Sequence, residues 1–165
     1  YAFLKYHALG DLNIFIVFSI LPILGTSYAI TGSINADALV LAFPIGIITV
    51  SVLHANNSRD METDRKAGIK TFAMVIGERV SCILYCMYMI LPFLFIFIAV
   101  FLKSLPVLAL LSFLAIPQAF RNFMGAMSYY EVGLVAMNDL DQASAKLQLM
   151  FSGLLSVGLL IAGIL

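Results

Sequence analysis

The sequence predicts an all-α fold: a polytopic bundle of transmembrane helices. Three observations predict it. The 165 residues are 62% apolar and 11% charged, with a mean hydropathy of +1.05, whereas soluble domains average about half apolar and a quarter charged. Five apolar runs, at about 12–30, 38–55, 82–102, 105–120 and 147–165, approach the ~20 residues a helix needs to cross a bilayer core. Lys and Arg gather in two of the connections between these runs. Too few charges remain to coat a soluble globule, which excludes a soluble enzyme, a secreted disulfide scaffold and a disordered tail. Nine Lys and Arg balance nine Asp and Glu, so no basic excess points to nucleic acid.

The elements follow in order. The opening Tyr1-Ala2-Phe3-Leu4-Lys5 has no initiator Met and no basic signal region, so the chain is expected to begin inside a longer protein. Pro22, Pro44, Pro92, Pro106 and Pro117 fall in or at the ends of the apolar runs, where neighbouring helices can satisfy the carbonyls that proline frees. Cys82 and Cys86 lie four apart in the third run and read as packing residues. The connection 31–37 carries no Lys or Arg, and Lys103-Ser104 is a tight turn with one. By contrast, 56–81 holds Arg59, Arg65, Lys66, Lys70 and Arg79, and the fourth connection is bounded by Arg121 and Lys146. Together with Lys5 these eight cations share one side and Lys103 stands on the other, which places 56–81 in the cytoplasm. That segment reads as a helix extending out of the membrane. Asp139-Leu140-Asp141-Gln142 reads as a helix start that introduces the last span. Tyr6, Tyr129 and Tyr130 read as interface-belt residues.

The chemistry concentrates in His54-Ala55-Asn56-Asn57-Ser58-Arg59-Asp60-Met61-Glu62-Thr63-Asp64-Arg65-Lys66-Ala67-Gly68. Asn56, Asp60 and Asp64 are spaced by four. On a helix each step advances about 40°, so the three oxygens would share one face. Two carboxylates and an amide carbonyl are hard ligands of the kind Mg²⁺ takes alongside water and substrate phosphate. Arg59, Arg65, Lys66 and Lys70 supply groups for phosphate oxygens, Arg as a fork and Lys as a point charge. The alternative is a solvated loop whose charges merely pair. Against it stand the Asn that extends the row and the start of the row at the end of an apolar span, where a carboxylate is costly unless functional. Glu62 projects to the opposite side of such a helix. His54 reads as a structural boundary residue, with substrate orientation as its alternative.

Asn57-Ser58-Arg59-Asp60, followed by Asp64, Gly68 and Thr71, resembles the second aspartate-rich motif of the UbiA superfamily of intramembrane prenyltransferases. The Asn-Asn-x-Arg-Asp form is similar to the branch that prenylates 1,4-dihydroxy-2-naphthoate in menaquinone synthesis, and to its animal vitamin-K relatives. Lys5-Tyr6-His7-Ala8-Leu9-Gly10-Asp11-Leu12 resembles the segment opening the fifth helix of that branch. The resemblance implies Mg²⁺ as cofactor, with a polyprenyl diphosphate, an aromatic acceptor such as a naphthoate, and membrane lipid as partners. It implies Asp60 and Asp64 as metal ligands, to which the helical row adds Asn56, and Asp60, Asp64 and Arg59 as catalytic residues. Arg59, Lys5, Lys66 and Asn57 would bind diphosphate, and Asn57 competes with Asn56 for the metal. The family carries about nine spans and a first motif, N-x-x-x-D-x-x-x-D, that these residues do not contain. The expectation is therefore a C-terminal portion with half an active site, inactive in isolation, in a bacterial inner membrane.

Two other classes compete. A transporter element would carry its acids near the bilayer midplane, whereas here they cluster in a cation-rich connection. A non-catalytic membrane scaffold would use 56–81 only as a solvated connector.

Overall fold

A computed structural model describes residues 9–35 and 38–165. The described residues form helices joined by short connections, with no strand among them. We number the helices α1 (Gly10–Thr31), α2 (Leu39–Arg59), α3 (Met61–Lys66), α4 (Phe72–Ile76), α5 (Glu78–Phe101), α6 (Val107–Met137) and α7 (Leu140–Ile164). Five of them, α1, α2, α5, α6 and α7, are long and apolar enough to cross a membrane. The all-α polytopic bundle read from the sequence is the fold observed.

The boundaries differ from the apolar runs in one direction. α7 begins at Leu140, ahead of the expected 147, and α6 continues to Met137, beyond the expected 120. Helical hydrogen bonding does not stop where hydropathy falls, so the polar turns around Gln142 and Lys146 extend the spans into the interface. The segment 56–81 is not one helix. α2 continues into it as far as Arg59, and the short helices α3 and α4 follow.

α2 and α5 pack against each other, α7 lies along both α2 and the tight 3₁₀ stretch Val107–Ala115 of α6, and α1 crosses α2. Ile48, Tyr85, Met89, Phe93, Ile96, Leu147, Phe151 and Leu155 fill the buried centre. Phe93 meets Phe113 and Phe151 edge-to-face, with centroids 5.7 and 5.3 Å apart, the arrangement that aromatic quadrupoles favour. Two close approaches set the helix distances. Where α1 crosses α2, a Cβ on Gly46 would lie 2.5 Å from the Phe15 ring and 2.8 Å from Ser19 Oγ. Ser19 lies in the π-helical turn Ile16–Ile20 and its hydroxyl donates to the Ala42 carbonyl at 2.5 Å. At the other site, a Cβ on Gly158 would strike the Leu108 carbonyl oxygen.

The α5–α6 turn is sharp because Lys103 takes the left-handed conformation, φ 59°. Ser104 N then donates to the Ala99 carbonyl (2.9 Å) and Lys103 N to that of Val100 (3.0 Å), the paired bonds that close a helix C-terminus. Apolar side chains such as Leu12, Phe18, Leu21, Ile90 and Phe97 remain exposed on the outside. In a bilayer that exposure carries no penalty. The cysteines pack as expected, Cys82 donating to the Ala126 carbonyl at 3.1 Å and Cys86 facing that of Phe123 at 4.0 Å.

Candidate active site

The crossing of α1 over α2 brings the start of one helix beside the end of the other, and the chain then folds back over both. α2 ends at Arg59, and Asp60 stands alone between α2 and α3 with φ −91° and ψ 10°. Backbone bonding still bridges the break, from Asp60 N to the Asn56 carbonyl (3.0 Å) and from Asp64 N to that of Asp60 (2.9 Å). α3 closes at Gly68, whose φ of 70° lets the chain reverse. Ile69 N then donates to the Asp64 carbonyl at 2.9 Å. The reversal carries Lys70 and Thr71 back toward α2, and Thr71 Oγ1 caps α4 by accepting from Met74 N at 3.3 Å.

These elements enclose a cavity of about 450 Å³. Its polar wall is Asn13, Asn56, Asn57, Asp64, Lys70 and Thr71, and its apolar wall includes Ile14, Phe18, Leu53, Ile69 and Phe72. Asn57 Nδ2 donates to Asp11 Oδ1 at 3.4 Å. Asp11 Oδ2 in turn lies 2.8 Å from His54 Nδ1. His54 is fully buried, with its Nε2 2.9 Å from Ser81 Oγ and 3.1 Å from the Ser81 carbonyl. The rings of Tyr88 and Phe72 flank the imidazole.

The predicted row Asn56, Asp60, Asp64 divides between the cavity and the Arg59 guanidinium. Asn56 and Asp64 line the cavity and Asp60 does not. The reason is Arg59. Its Nε and Nη2 donate to the two oxygens of Asp60 at 2.8 and 3.0 Å. Its Nη1 donates to Asp141 Oδ2 at 2.7 Å and to the Asn138 carbonyl at 3.4 Å, and Nη2 also donates to Asn56 Oδ1. Two carboxylates and an amide therefore hold the guanidinium between the end of α2 and the start of α7. The bidentate Arg59 contact holds the Asp60 carboxyl below its ordinary range. On this side Asn56 and Asp141 also border a second, shallower cavity of about 380 Å³.

The other sequence expectations sort in the same way. Lys66 is exposed and outside the cavity, because α3 turns it outward, and Lys70, four residues on, takes a place in the wall. Lys5 and Tyr6 lie outside the described residues. Asp139-Leu140-Asp141 does begin the last helix, but Asp141 does more than introduce it. Tyr129 donates to Glu78 Oε2 at 3.4 Å and Arg79 lies 6.0 Å from the Tyr130 ring centroid, contacts between the ends of two spans. The buried Asp11–His54 pair was not found by spacing, since the two residues are 43 apart in sequence.

Among the described residues no three His, Cys, Asp or Glu side chains converge as a metal cluster. The cavity wall nevertheless fits Mg²⁺ by donor chemistry. It presents one carboxylate and three amides, and Mg²⁺ is held by one or two carboxylates with water and substrate phosphates completing the octahedron.

An integral membrane bundle with an oxygen-rich cavity at the polar end of two spans is the class that fold and site define. The profile of the UbiA prenyltransferase family matches residues 1–155, and the chain belongs to that family. It is similar to human (Homo sapiens) UbiA prenyltransferase domain-containing protein 1, 39% identical over 162 residues covering 96% of this chain and 44% of the relative. The Rattus norvegicus protein of that name is 38% identical over 161 residues, 96% and 44% of the two chains. The Drosophila melanogaster homolog is 39% identical over 117 residues, 71% and 32%. The chain thus spans less than half the length of these relatives. They are animal proteins, which gives the expected bacterial inner membrane no support.

Proposed function

We propose that this chain supplies the diphosphate-binding face of a membrane prenyltransferase, which moves a polyprenyl group from an allylic diphosphate to an aromatic acceptor with Mg²⁺. The observation that carries the reading is the cavity itself: Asn56, Asn57, Asp64, Lys70 and Thr71 on one wall and apolar side chains on the other. A diphosphate ester with an isoprenoid tail has that same division. Bound Mg²⁺, held by Asp64 with the Asn57 or Asn56 carbonyl and by phosphate oxygens, would neutralise the leaving group as a Lewis acid.

The chain's own residues have separate tasks in this reading. Lys70 offers a point charge to phosphate oxygens, and Thr71 adds a hydroxyl donor. The allylic C–O bond breaks with its electron pair passing to the diphosphate. An acceptor ring carbon then bonds to the allylic carbon, and the proton on that ring carbon passes to the released diphosphate. Ile14, Leu53, Ile69 and Phe72 keep water from the allylic cation. Arg59 and Asp60 act one step back, holding the end of α2 on α7. Lys5 and Lys66 stay as further proposed diphosphate contacts.

The acceptor we propose is a naphthoate of the 1,4-dihydroxy-2-naphthoate type, as in menaquinone and vitamin-K synthesis, on the strength of the Asn56-Asn57-Ser58-Arg59-Asp60 motif. The cation asymmetry supports a cytoplasmic position for 56–81. Because the relatives are more than twice as long, the remaining substrate contacts fall to residues beyond these 165, and the isolated chain is expected to be inactive.

The test is equilibrium binding of geranylgeranyl diphosphate to the intact protein in nanodiscs. Affinity is expected to depend on Mg²⁺ and to fall roughly tenfold or more in Asp64→Asn. Metal-independent binding that Asp64→Asn leaves unchanged would overturn the reading and favour a scaffold.

A further inference from the structure

The hydrogen bonds behind the cavity wall have only one consistent assignment of protons. Ser58 Oγ donates to the His54 carbonyl at 2.7 Å, because a carbonyl can only accept, and this uses the hydroxyl's one proton. The 2.5 Å contact between the Ser58 and Ser81 hydroxyls is therefore donated by Ser81. Ser81 has no second proton for the imidazole. His54 Nε2 must then be the donor to Ser81 Oγ and the Ser81 carbonyl, 2.9 and 3.1 Å away. One proton remains between His54 Nδ1 and Asp11 Oδ2, 2.8 Å apart.

Wherever that proton sits, the outcome for the other carboxyl oxygen is the same. Asp11 Oδ1 is an acceptor whether Asp11 is an ion or is protonated on Oδ2. It therefore demands the amino end of Asn57, which is the contact observed, Nδ2 to Oδ1 at 3.4 Å. With its amino end turned to Asp11, the amide leaves its carbonyl oxygen for the cavity that Asn57 lines. Asn56 is placed differently, because its carbonyl oxygen already accepts from Arg59.

We propose that Asp11, anchored by the buried His54, is a positioning residue that locks the Asn57 carbonyl toward the cavity as a divalent-cation ligand. The inference rests on the Mg²⁺ reading proposed above and deepens it by choosing Asn57 over Asn56. Asp11 is 8% exposed and His54 fully buried, and a polar pair in such a place costs free energy unless both partners are satisfied. Together they give the amide a fixed backstop, as outer-shell partners do for the ligands of metal sites.

The test measures Mn²⁺ affinity by electron paramagnetic resonance on the intact protein in nanodiscs, with inorganic pyrophosphate present and no turnover. Asp11→Leu is expected to weaken Mn²⁺ binding about tenfold, as is Asn57→Ala. The double variant should be no weaker than Asn57→Ala alone, because Asp11 acts through Asn57. Asp11→Asn should keep near-native affinity, since its amino group can donate to His54 Nδ1 while its carbonyl still accepts from Asn57. Asp11→Leu leaves His54 buried without its partner, so Asp11→Ala/His54→Phe, which removes both polar groups together, repeats the measurement in a fold free of that penalty. Native affinity in the Leu and Ala/Phe variants, losses that multiply in the double variant, or a full loss in Asp11→Asn would each overturn the proposal. Absence of Mn²⁺ binding by the wild-type protein would overturn the metal reading as well, which separates the two failures.

Discussion

Gly158→Ala tests the packing that holds α7 in place. An added Cβ would run into the Leu108 carbonyl oxygen and lie 2.9 Å from the Leu108 carbonyl carbon. Both atoms are backbone, so no rotamer change relieves the contact. α7 must instead part from the 107–115 stretch by roughly an ångström, giving up dispersion contacts along the seam. Overpacking of this kind costs about 1–3 kcal/mol. Gly153, on the same helix, has nothing within 4 Å of its Cβ position and serves as the control. Both substitutions share the helix-propensity gain of about 0.5–1 kcal/mol, so the difference between them isolates the overlap. Reversible unfolding of the intact protein in bicelles, titrated with sodium dodecyl sulfate, should place Gly158→Ala about 1–3 kcal/mol below Gly153→Ala. Equal stability of the two variants would refute the close approach and with it the described seating of α7.

Two further outcomes follow from the Arg59 cluster. A double-mutant cycle with Arg59→Met and Asp141→Ala should give a coupling of about 1 kcal/mol in the same unfolding assay, the range for a charge-assisted bond with partial exposure, and zero coupling would mean that α2 and α7 are not tied there. Because Arg59 lowers the folded-state pKa of Asp60, that contact contributes stability above the ordinary carboxyl value of 3.8 and loses it as pH falls below 3.8 toward the depressed value. The unfolding midpoint of the wild type should therefore approach that of Asp60→Asn only as pH falls below 3.8, and a gap that stays constant below 3.8 would contradict the pairing.

The fold was legible because the bilayer makes its demand locally. A run such as 38–55 must be helical and about that long whatever its neighbours are, and the helix found, Leu39–Arg59, differs mainly at its polar end. The tight Lys103-Ser104 turn and the packing of Cys82 and Cys86 were equally local readings. At the site, Asn56 and Asp64 were legible from spacing and Asn57 from the motif resemblance, and all three line the cavity. Thr71 was visible in the motif, and with it the position of its neighbour Lys70.

What the sequence by itself determined, then, is a set of apolar spans and one polar segment rich in oxygen donors, because hydropathy and helical spacing are properties of neighbouring residues. The tertiary structure alone decided how those donors divide. Asp141 lies 82 residues from Arg59, and its carboxylate on α7 helps draw the guanidinium, and with it Asp60, away from the cavity that Asp64 keeps. Asp11 lies 46 residues before Asn57, and only the crossing of α1 over α2 brings the two within hydrogen-bonding distance. An ion pair forms where two helices meet, and the angle and height of that meeting are set by contacts such as Gly46 against Phe15 and Gly158 against Leu108, which no spacing along one strand of sequence encodes.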